Sequence, residues 1–475
     1  MLKKEINKLD ILSLAIGAII GWGAFVLPGD LFLKAGIFNS TIAIVAGALI
    51  MVGIEKNYGY LLKKFPVAGG EYAFTYDAFG WKHALACGWF LALAYISIVP
   101  LNATALALVA KFTMPGILEV GHLYSIAGSD IYLGEVAVAV SALCLFGYLN
   151  IKGIKLASQL QKIMVLLLVG IVFLFLSLVI AKVGIINPNT MSFLGSETIS
   201  FPKILKILSI APMLFVGFDC IPQVAEELDF EAKEASRLAI ISILVGGLVY
   251  ILIILFTSFG VTREEIMNGQ ISWATGHTTE YYFGKIGIIL LIIALTSAIV
   301  AGINGFYMAA SRLLFAMSRG KILPEFFGVL DKKYHTPKNA ILFTLGISLI
   351  APWFGRNVLL WIVGTSSVGA SIGYLYTSLS SYKLYKEEYG KVFIPGIFGS
   401  ISGIIFLILL LVPGSDSSLS LPSIIVLVVW GIIGLSFYKF YDLKVVHYTK
   451  EELDELILNR DSEGNIIGIE VNAVL

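Results

Sequence analysis

Long apolar segments separated by short polar connections run along nearly the whole chain. Each segment is close to the roughly 20 residues that a helix needs to cross the hydrocarbon core of a bilayer. The pattern therefore predicts an all-α polytopic membrane protein with twelve transmembrane helices. In chain order the segments are 9–33, 40–62, 81–112, 131–149, 157–183, 203–225, 238–261, 286–317, 339–354, 359–382, 394–412 and 421–441.

Composition supports a membrane protein and excludes several other classes. Of the 475 residues, 58% are hydrophobic and only 14% are charged, whereas soluble domains carry about 25% charged residues. The formal net charge is +1, so the chain has no basic excess for binding nucleic acid. The composition therefore predicts the lipid bilayer as a partner of the protein.

The placement of the basic residues orients the predicted helices. With twelve spans both termini lie on one side, and 25 of the 33 Lys and Arg residues fall on that side. Positive charge accumulates on the cytoplasmic side of membrane proteins, so we expect a multi-pass protein of the cytoplasmic membrane with both termini in the cytoplasm. Residues 1–442 form the predicted membrane domain. Residues 443–475 form a predicted cytoplasmic tail, in which TKEELDELI resembles a short amphipathic helix.

Catalytic and metal-binding chemistry is not indicated. The three cysteines, Cys87, Cys144 and Cys220, stand in apolar surroundings and form no CxxC pair, so we interpret them as core residues. The five histidines lie in connecting segments without metal-ligand spacing. No nucleophile and base pair is recognisable. The chain is predicted not to be an enzyme and to need no cofactor or metal.

Two of the apolar segments are interrupted by helix-breaking residues. The first contains IGAIIGWGAFVLPG and the sixth contains APMLFVGFDCIPQVAEEL. One interpretation is that the glycines allow close helix packing and the prolines only kink the helices. The other starts from the position of the two segments, because the first and the sixth are equivalent in a fold of two five-helix inverted repeats. Paired broken helices in such a fold mark a transporter binding site near the bilayer midplane. The repeats would cover about 9–183 and 203–382, followed by two further helices within 394–441.

Unpaired backbone groups at the two breaks suit a zwitterion. Amides at the start of a helix attract a carboxylate, and carbonyls freed by a break attract an ammonium group. A site of this kind needs no charged side chain. The candidate groups are the amides of Gly23, Ala24 and Phe25 and the carbonyls of Ile19, Ile20, Phe215 and Val216.

Four ordered motifs resemble the amino acid-polyamine-organocation (APC) superfamily of permeases. They are the glycine motif of the first segment, FPVAGGEYAFTYDAFG at 65–80, FVGFDCIPQVAEEL at 215–228 and SRLLFAMSRGKILPEFFGVLDKKYHTP at 311–337. The resemblance covers nearly the whole membrane domain. It implies a leucine-transporter-type fold of twelve helices, with a five-plus-five inverted repeat and with helices one and six unwound.

The resemblance also implies where a substrate binds. Aromatic residues of the sixth and eighth segments would cover the substrate, with Phe215, Phe218 and Phe306 closing the site. Glu226 and Glu227 would serve in gating or in structural ion pairs with basic loop residues, and Arg312 and Arg319, at the cytoplasmic end of the eighth segment, would make similar contacts. The implied substrate-binding residues are Ile19, Gly21, Trp22 and Gly23 in the first segment, Met213, Phe215 and Gly217 in the sixth, Phe306 in the eighth, and Thr365 and Ser366 in the tenth.

Three positions depart from the superfamily pattern. The usual Gly-Ser-Gly of the first helix is replaced by Gly21, Trp22 and Gly23. Either the flanking amides suffice to hold a carboxylate, or the substrate is an amine without one. The lysine that couples transport to protons in some relatives falls at Leu168, and the eighth segment, GINGFYMAAS, lacks the adjacent hydroxyl pair of a sodium site.

Asp219 is the notable ionisable residue of the broken sixth segment. Carboxyl groups inside membrane spans often lie on proton or substrate paths, so Asp219 is a candidate for proton coupling; the alternative is a helix N-cap. The predicted function is secondary transport of amino acids or related small amines by alternating access, with proton symport or exchange. The alternatives are a polyamine or simple-amine transporter that does not recognise a carboxylate, and a non-transporting amino acid sensor. The oligomeric state stays open.

Overall fold

The computed structural model describes residues 2–113, 116–184, 198–269, 271, 273–414, 418–445 and 448–460. Helices make up most of this part of the chain, and a two-stranded hairpin joins α6 to α7. The helices are α1 Lys8–Ile19, α2 Gly23–Val26, α3 Pro28–Lys34, α4 Ile37–Lys64, α5 Glu71–Phe79, α6 Trp81–Thr113, α7 Leu133–Lys152, α8 Ile154–Val183, α9 Phe201–Leu208, α10 Ala211–Phe215, α11 Cys220–Gln223, α12 Ala232–Ser258, α13 Arg263–Met267, α14 Ala274–Arg319, α15 Lys338–Ile350, α16 Gly355–Tyr389, α17 Ile394–Leu411, α18 Leu421–Val445 and α19 Lys450–Leu458. Short 3₁₀ helices cover Ala225–Glu227, Glu325–Gly328 and Ala351–Phe354.

Eight of the described helices are long and apolar enough to cross a membrane. The chain is therefore a multi-pass membrane protein. These eight, α4, α6, α7, α8, α12, α14, α17 and α18, coincide with the second to fifth, seventh, eighth, eleventh and twelfth predicted segments. The other four predicted segments correspond to interrupted helices, to the shorter α15 or to the more polar α16. Twelve spans and the inverted repeat accordingly stay predictions.

A β-hairpin that the apolar pattern did not predict joins α6 to α7. Its strands are β1 His122–Ile126 and β2 Ser129–Tyr132, paired antiparallel. Between them Ala127 and Gly128 both have positive φ, 49° and 75°, as a two-residue hairpin turn requires. The hydroxyl of Tyr124 donates to the carbonyl of Trp353 at 2.7 Å, which ties the hairpin to the connection before α16. The fourth apolar segment therefore starts as a strand and becomes helical at Leu133.

Both predicted helix breaks are present. The first apolar segment divides between α1 and α2. The sixth is divided between α10 and α11, with Val216 extended and Gly217 at a φ of +133°. A Cβ on Gly217 would lie only 2.7 Å from the carbonyl carbon of Ala18. Glycine at position 217 thus lets the second break pack directly on the end of α1.

The broken segments lie inside the protein. Helix α6 is almost wholly enclosed by its neighbours, mainly α14 and α16, whereas α18 lies at the periphery. Helix α1 packs on α8, α12 and α14, and α11 packs on α1 and α14. Irregular backbone at membrane depth needs this enclosure, because lipid cannot satisfy its polar groups.

The two described ends of the chain meet at one end of the helix bundle, here called the terminal face. The amides of Glu5 and Ile6 donate to the carbonyl of Glu227, and the amide of Asp229 donates to Ile6 in return. At the other end of the chain, Thr449 caps α19 through a capping box with Glu452. Helix α19 contacts α5 and α14. Its apolar side chains Leu453, Ile457 and Leu458 are buried there.

Candidate functional site

A cavity of about 100 Å³ lies between the two helix breaks. Eight of the predicted site residues line it together: Ile19, Gly21, Trp22, Gly23, Met213, Val216, Phe306 and Ser366. The structure thus brings residues from four distant parts of the sequence to one place.

At the first break, backbone hydrogen bonds join residues that are two or three positions apart in the sequence. The amide of Gly21 donates to Ile19 at 3.0 Å, the amide of Ala24 to Gly21 at 3.1 Å and the amide of Phe25 to Trp22 at 3.1 Å. Two of the three amides expected to hold a carboxylate are therefore already engaged within the turn. Gly23 lines the cavity, whereas Ala24 does not.

Carbonyl groups at the first break also have partners. The carbonyl of Ile19 accepts from the amide of Gly21 and, at 3.3 Å, from the hydroxyl of Tyr250 in α12. Tyr250 itself lines the cavity. The side chain of Ile20 is fully buried and does not face the cavity. The tyrosine hydroxyl thereby satisfies a backbone oxygen that the break releases from the helix.

The second break is held by the side chain of Asp219. One carboxylate oxygen accepts from the amide of Gly217 at 2.6 Å, and the other accepts from the hydroxyl of Tyr95 at 2.9 Å. Asp219 precedes α11, but its side chain makes no hydrogen bond to that helix. The N-cap alternative is therefore wrong in its geometry, because the carboxylate reaches back to the break instead of forward into the helix.

Several other implied residues lie behind the cavity lining. The Phe215 ring packs where Cβ atoms on Gly47 and Gly247 would be, and its centroid is 6.4 Å from that of Tyr250. The Phe218 ring stacks on Tyr374 at 5.6 Å. Neither the Phe215 ring nor the Phe218 ring lines the cavity. Gly217 and Thr365 are likewise outside the lining.

Sequence reasoning missed half of the residues that line the cavity. Asn102 in α6 donates to the carbonyl of Ile98 at 3.0 Å and lies against Gly302, where a Cβ would be only 3.0 Å from the amide group. Asn102 could have been recognised from the sequence as a single side-chain amide within a long apolar segment. The missed residues are Ala18, Leu27, Ile98, Leu101, Asn102, Leu214, Tyr250 and Gly302.

Two carboxyl groups lie in a buried polar cluster beside the second break, here called the carboxyl cluster: Glu71, Asp219, Tyr58, Tyr95 and Gln223. Glu71 is the first residue of α5 and is fully buried. Its carboxylate accepts from the hydroxyl of Tyr58 at 3.0 Å and from the side-chain amide of Gln223. The cluster connects α5 to the sixth segment.

Ion pairs close the terminal face. Arg312 binds both carboxylate oxygens of Glu227, at 2.8 and 3.2 Å, and both side chains are almost fully buried. Arg319 pairs with Glu226 at 2.6 Å, and Glu226 also accepts from the amide of Ala68 at 3.0 Å. The expected pairing of these residues is confirmed. Removing either partner of the buried, bidentate pair of Arg312 and Glu227 would be costly, because it leaves the other charge buried and unpaired.

Within the described residues, no group of three or more His, Cys, Asp or Glu side chains is placed to hold a metal ion. Cys87 and Cys220 are buried, as predicted. Cys144 is exposed on the surface of the protein, so its assignment to the core is wrong. An apolar neighbourhood in the sequence does not distinguish a core position from one that faces the membrane.

Comparison with known proteins provides an independent line of evidence. The family model described as amino acid permease matches residues 6–434. The chain is 27% identical to a branched-chain amino acid permease of Bacillus subtilis (strain 168), over 93% of this chain and 94% of that protein. It is 25% identical to a serine/threonine exchanger of the same organism, over 74% and 76% of the two chains. It is 23% identical to that organism's aspartate-proton symporter, over 80% and 73%.

Proposed function

Because the chain belongs to the amino acid permease family, we propose that it transports neutral amino acids with aliphatic side chains across the cytoplasmic membrane. The relatives are transporters and not enzymes. The transport would proceed by alternating access, in which the broken helices move relative to the helices around them. The terminal face would be the cytoplasmic one, as the distribution of Lys and Arg predicts.

The observation that carries the proposal is the lining of the cavity between the two breaks. Its polar groups are neutral: they are backbone groups of the first and sixth segments and the side chains of Asn102, Tyr250 and Ser366, and no lining residue carries a charge. A charged side chain on the substrate would therefore be buried without a partner, which costs several kcal/mol. Most of the remaining surface is aliphatic, from residues such as Ile98, Leu101, Leu214 and Val216.

Alternating access is supported by a difference between the two ends of the helix bundle: the terminal face is closed, whereas part of the cavity lining is exposed. The terminal face is shut by the pairs of Arg312 with Glu227 and of Arg319 with Glu226. On the cavity lining, Met213 is 41% exposed and Trp22 is partly exposed. Opening towards the cytoplasm would require the two ion pairs to separate, since each joins the sixth segment to α14.

Asp219 bears on whether transport is coupled to protons, and Trp22 bears on whether the substrate needs a carboxylate. Asp219 is a buried carboxyl at the second break, which favours proton symport; exchange is the second candidate, and one relative is an exchanger. Trp22 lies in the lining beside Gly23, so it narrows the site whether or not the substrate has a carboxylate.

Uptake by proteoliposomes tests the proposal. Radiolabelled leucine should be exchanged for internal leucine, and excess lysine, aspartate or isoamylamine, which is leucine without its carboxylate, should not compete. Competition by isoamylamine would favour the amine alternative. Saturable leucine binding without flux would favour a sensor. Uptake that requires internal leucine and ignores a pH gradient would favour exchange over symport.

A further inference from the structure

The carboxyl cluster holds two acids where the proposed mechanism uses only Asp219. Glu71 and Asp219 are both fully buried. Each accepts two hydrogen bonds, and all four donors are neutral groups: two tyrosine hydroxyls, one side-chain amide and one backbone amide. Neither carboxyl takes part in any ion pair found in the described part of the chain, so two ionised carboxylates would lie close together without a cation.

The other titratable groups that face the pair do not supply a positive charge either. They are tyrosines and cysteines, which are neutral at pH 7. Tyr58 comes from α4, Cys87 and Tyr95 from α6, Cys220 from α11 and Tyr374 from α16. Burying a carboxylate that has no cation costs several kcal/mol even when it is hydrogen-bonded. Binding one proton removes one of the two buried charges.

We propose that Glu71 and Asp219 together hold one transported proton, which they release when the sixth segment moves away from α5. This inference rests on the proposed transport function and names the groups that couple it to protons. The two carboxyls are linked through Gln223, which donates to Glu71 and lies four residues after Asp219, and interacting carboxyls titrate as a pair. Glu71 is thus assigned a role that the sequence motif around it did not suggest.

The position of Glu71 supplies the link to movement. Helix α5 packs on α6 and α16, whereas α11 packs on α1 and α14. The hydrogen bond from Gln223 to Glu71 therefore joins α5 to a helix of the broken sixth segment that packs mainly on other neighbours. The contact between them is close, because a Cβ on Gly70 would lie 2.6 Å from the Cβ of Pro222. A rocking movement of the sixth segment would remove Gln223 from Glu71 and separate the carboxyls.

The proton step is a simple acid–base exchange. A proton from water on the outer side binds to one carboxylate of the pair and gives a neutral carboxyl group. After the sixth segment has moved, the same O–H bond breaks and the proton passes to water on the cytoplasmic side. No electrons are transferred, and the pair returns to its starting charge.

Purified full-length protein in proteoliposomes tests the pair with the variants Glu71→Gln, Asp219→Asn and Glu55→Gln. Glu55 is a suitable control, because it is also buried but lies outside the carboxyl cluster, near Gly59 and Ser236. The measurements are leucine exchange, leucine accumulation driven by an imposed pH gradient, and proton entry reported by an internal pH dye.

We expect Glu71→Gln to keep leucine exchange and to lose both gradient-driven accumulation and proton entry. Uptake by the wild type and by Glu55→Gln should fall as the pH rises, by up to about tenfold per unit once the pair loses its proton, whereas Glu71→Gln should have a flat profile. A Glu71→Gln protein that accumulates leucine like the wild type would show that Glu71 is only structural.

The remaining outcomes are also decisive. If Glu71→Gln does not fold, proton uptake on addition of leucine is measured for the detergent-solubilised wild type and for Asp219→Asn. Proton uptake that persists in Asp219→Asn overturns the proposal, whereas its loss supports the proposal. Net leucine uptake by the wild type into liposomes without internal leucine, with no accompanying proton entry, overturns the inference and leaves transport intact. Absence of leucine exchange in the wild type contradicts the proposed function, and the inference fails with it.

Discussion

The contact between the two helix breaks can be tested by adding a single methyl group with Gly217→Ala. The new Cβ would lie 2.7 Å from the carbonyl carbon of Ala18 and 2.8 Å from the amide nitrogen of Ile19. Both partners are backbone atoms, so no flexible side chain can give way. The two breaks would have to separate by roughly 0.7 Å to restore ordinary van der Waals contact.

Backbone strain adds to this steric effect. Gly217 has a φ of +133°, a conformation that residues with a Cβ rarely adopt. Holding alanine there costs about 1–3 kcal/mol. A destabilisation of this size changes the ratio of folded to unfolded protein by a factor of about 5–150. We therefore expect a clearly lower melting temperature together with weaker leucine binding, because the cavity lies between the two displaced segments.

The assay is thermal unfolding of the purified protein in detergent, with and without leucine, followed by leucine exchange in proteoliposomes. Gly170→Ala is the matched control. A Cβ at position 170 meets nothing within 4 Å, and the residue lies inside α8, so alanine should leave stability unchanged or raise it by about 0.5–1 kcal/mol. Equal melting temperatures and equal leucine affinities for Gly217→Ala and the wild type would refute the close approach of the breaks.

Three further predictions concern other parts of the molecule. Gly23→Leu should abolish leucine exchange and leave folding intact, because the larger side chain extends into the cavity beside Leu27; retained exchange would place the substrate elsewhere. Trp22→Ser should admit larger amino acids in competition assays, since it removes a ring from the lining, and an unchanged profile would mean that Trp22 does not contact the substrate. Leu453→Glu should release α19, because an unpaired buried charge costs several kcal/mol. Limited proteolysis near the C-terminus should then be faster than in the wild type or in the exposed control Glu451→Gln, and equal rates would show that Leu453 does not hold the helix.

The sequence predicted the position of the two breaks well because their cause is local. Glycine and proline weaken a helix wherever they occur, and the equivalent positions in the two proposed repeats added a second reason to expect a site. The same reasoning could not establish which side chains face the cavity. At Phe215 the helix ends, and the direction of the next side chains depends on backbone angles that periodicity does not reveal.

Other residues escaped prediction because their signals were weak. Tyr250 is one aromatic residue within the apolar segment that forms α12, and only the structure shows its hydroxyl at the carbonyl of Ile19. Thr365 and Ser366 are neighbours on one helix, yet only Ser366 lines the cavity. The hairpin formed by β1 and β2 was hidden because its second strand merges with the apolar residues that begin α7.

Main-chain amide and carbonyl groups provide much of the polarity where the two breaks meet. This limits what mutagenesis of side chains can detect. Replacing one side chain by another leaves every amide and carbonyl in place, so alanine scanning would overlook the groups that we propose to bind substrate. Selection at Gly217 acts through the volume and the backbone conformation of the residue, since glycine has no functional group to lose. A family built on such a site is free to change its substrates by altering the residues around the breaks, while the breaks themselves are retained.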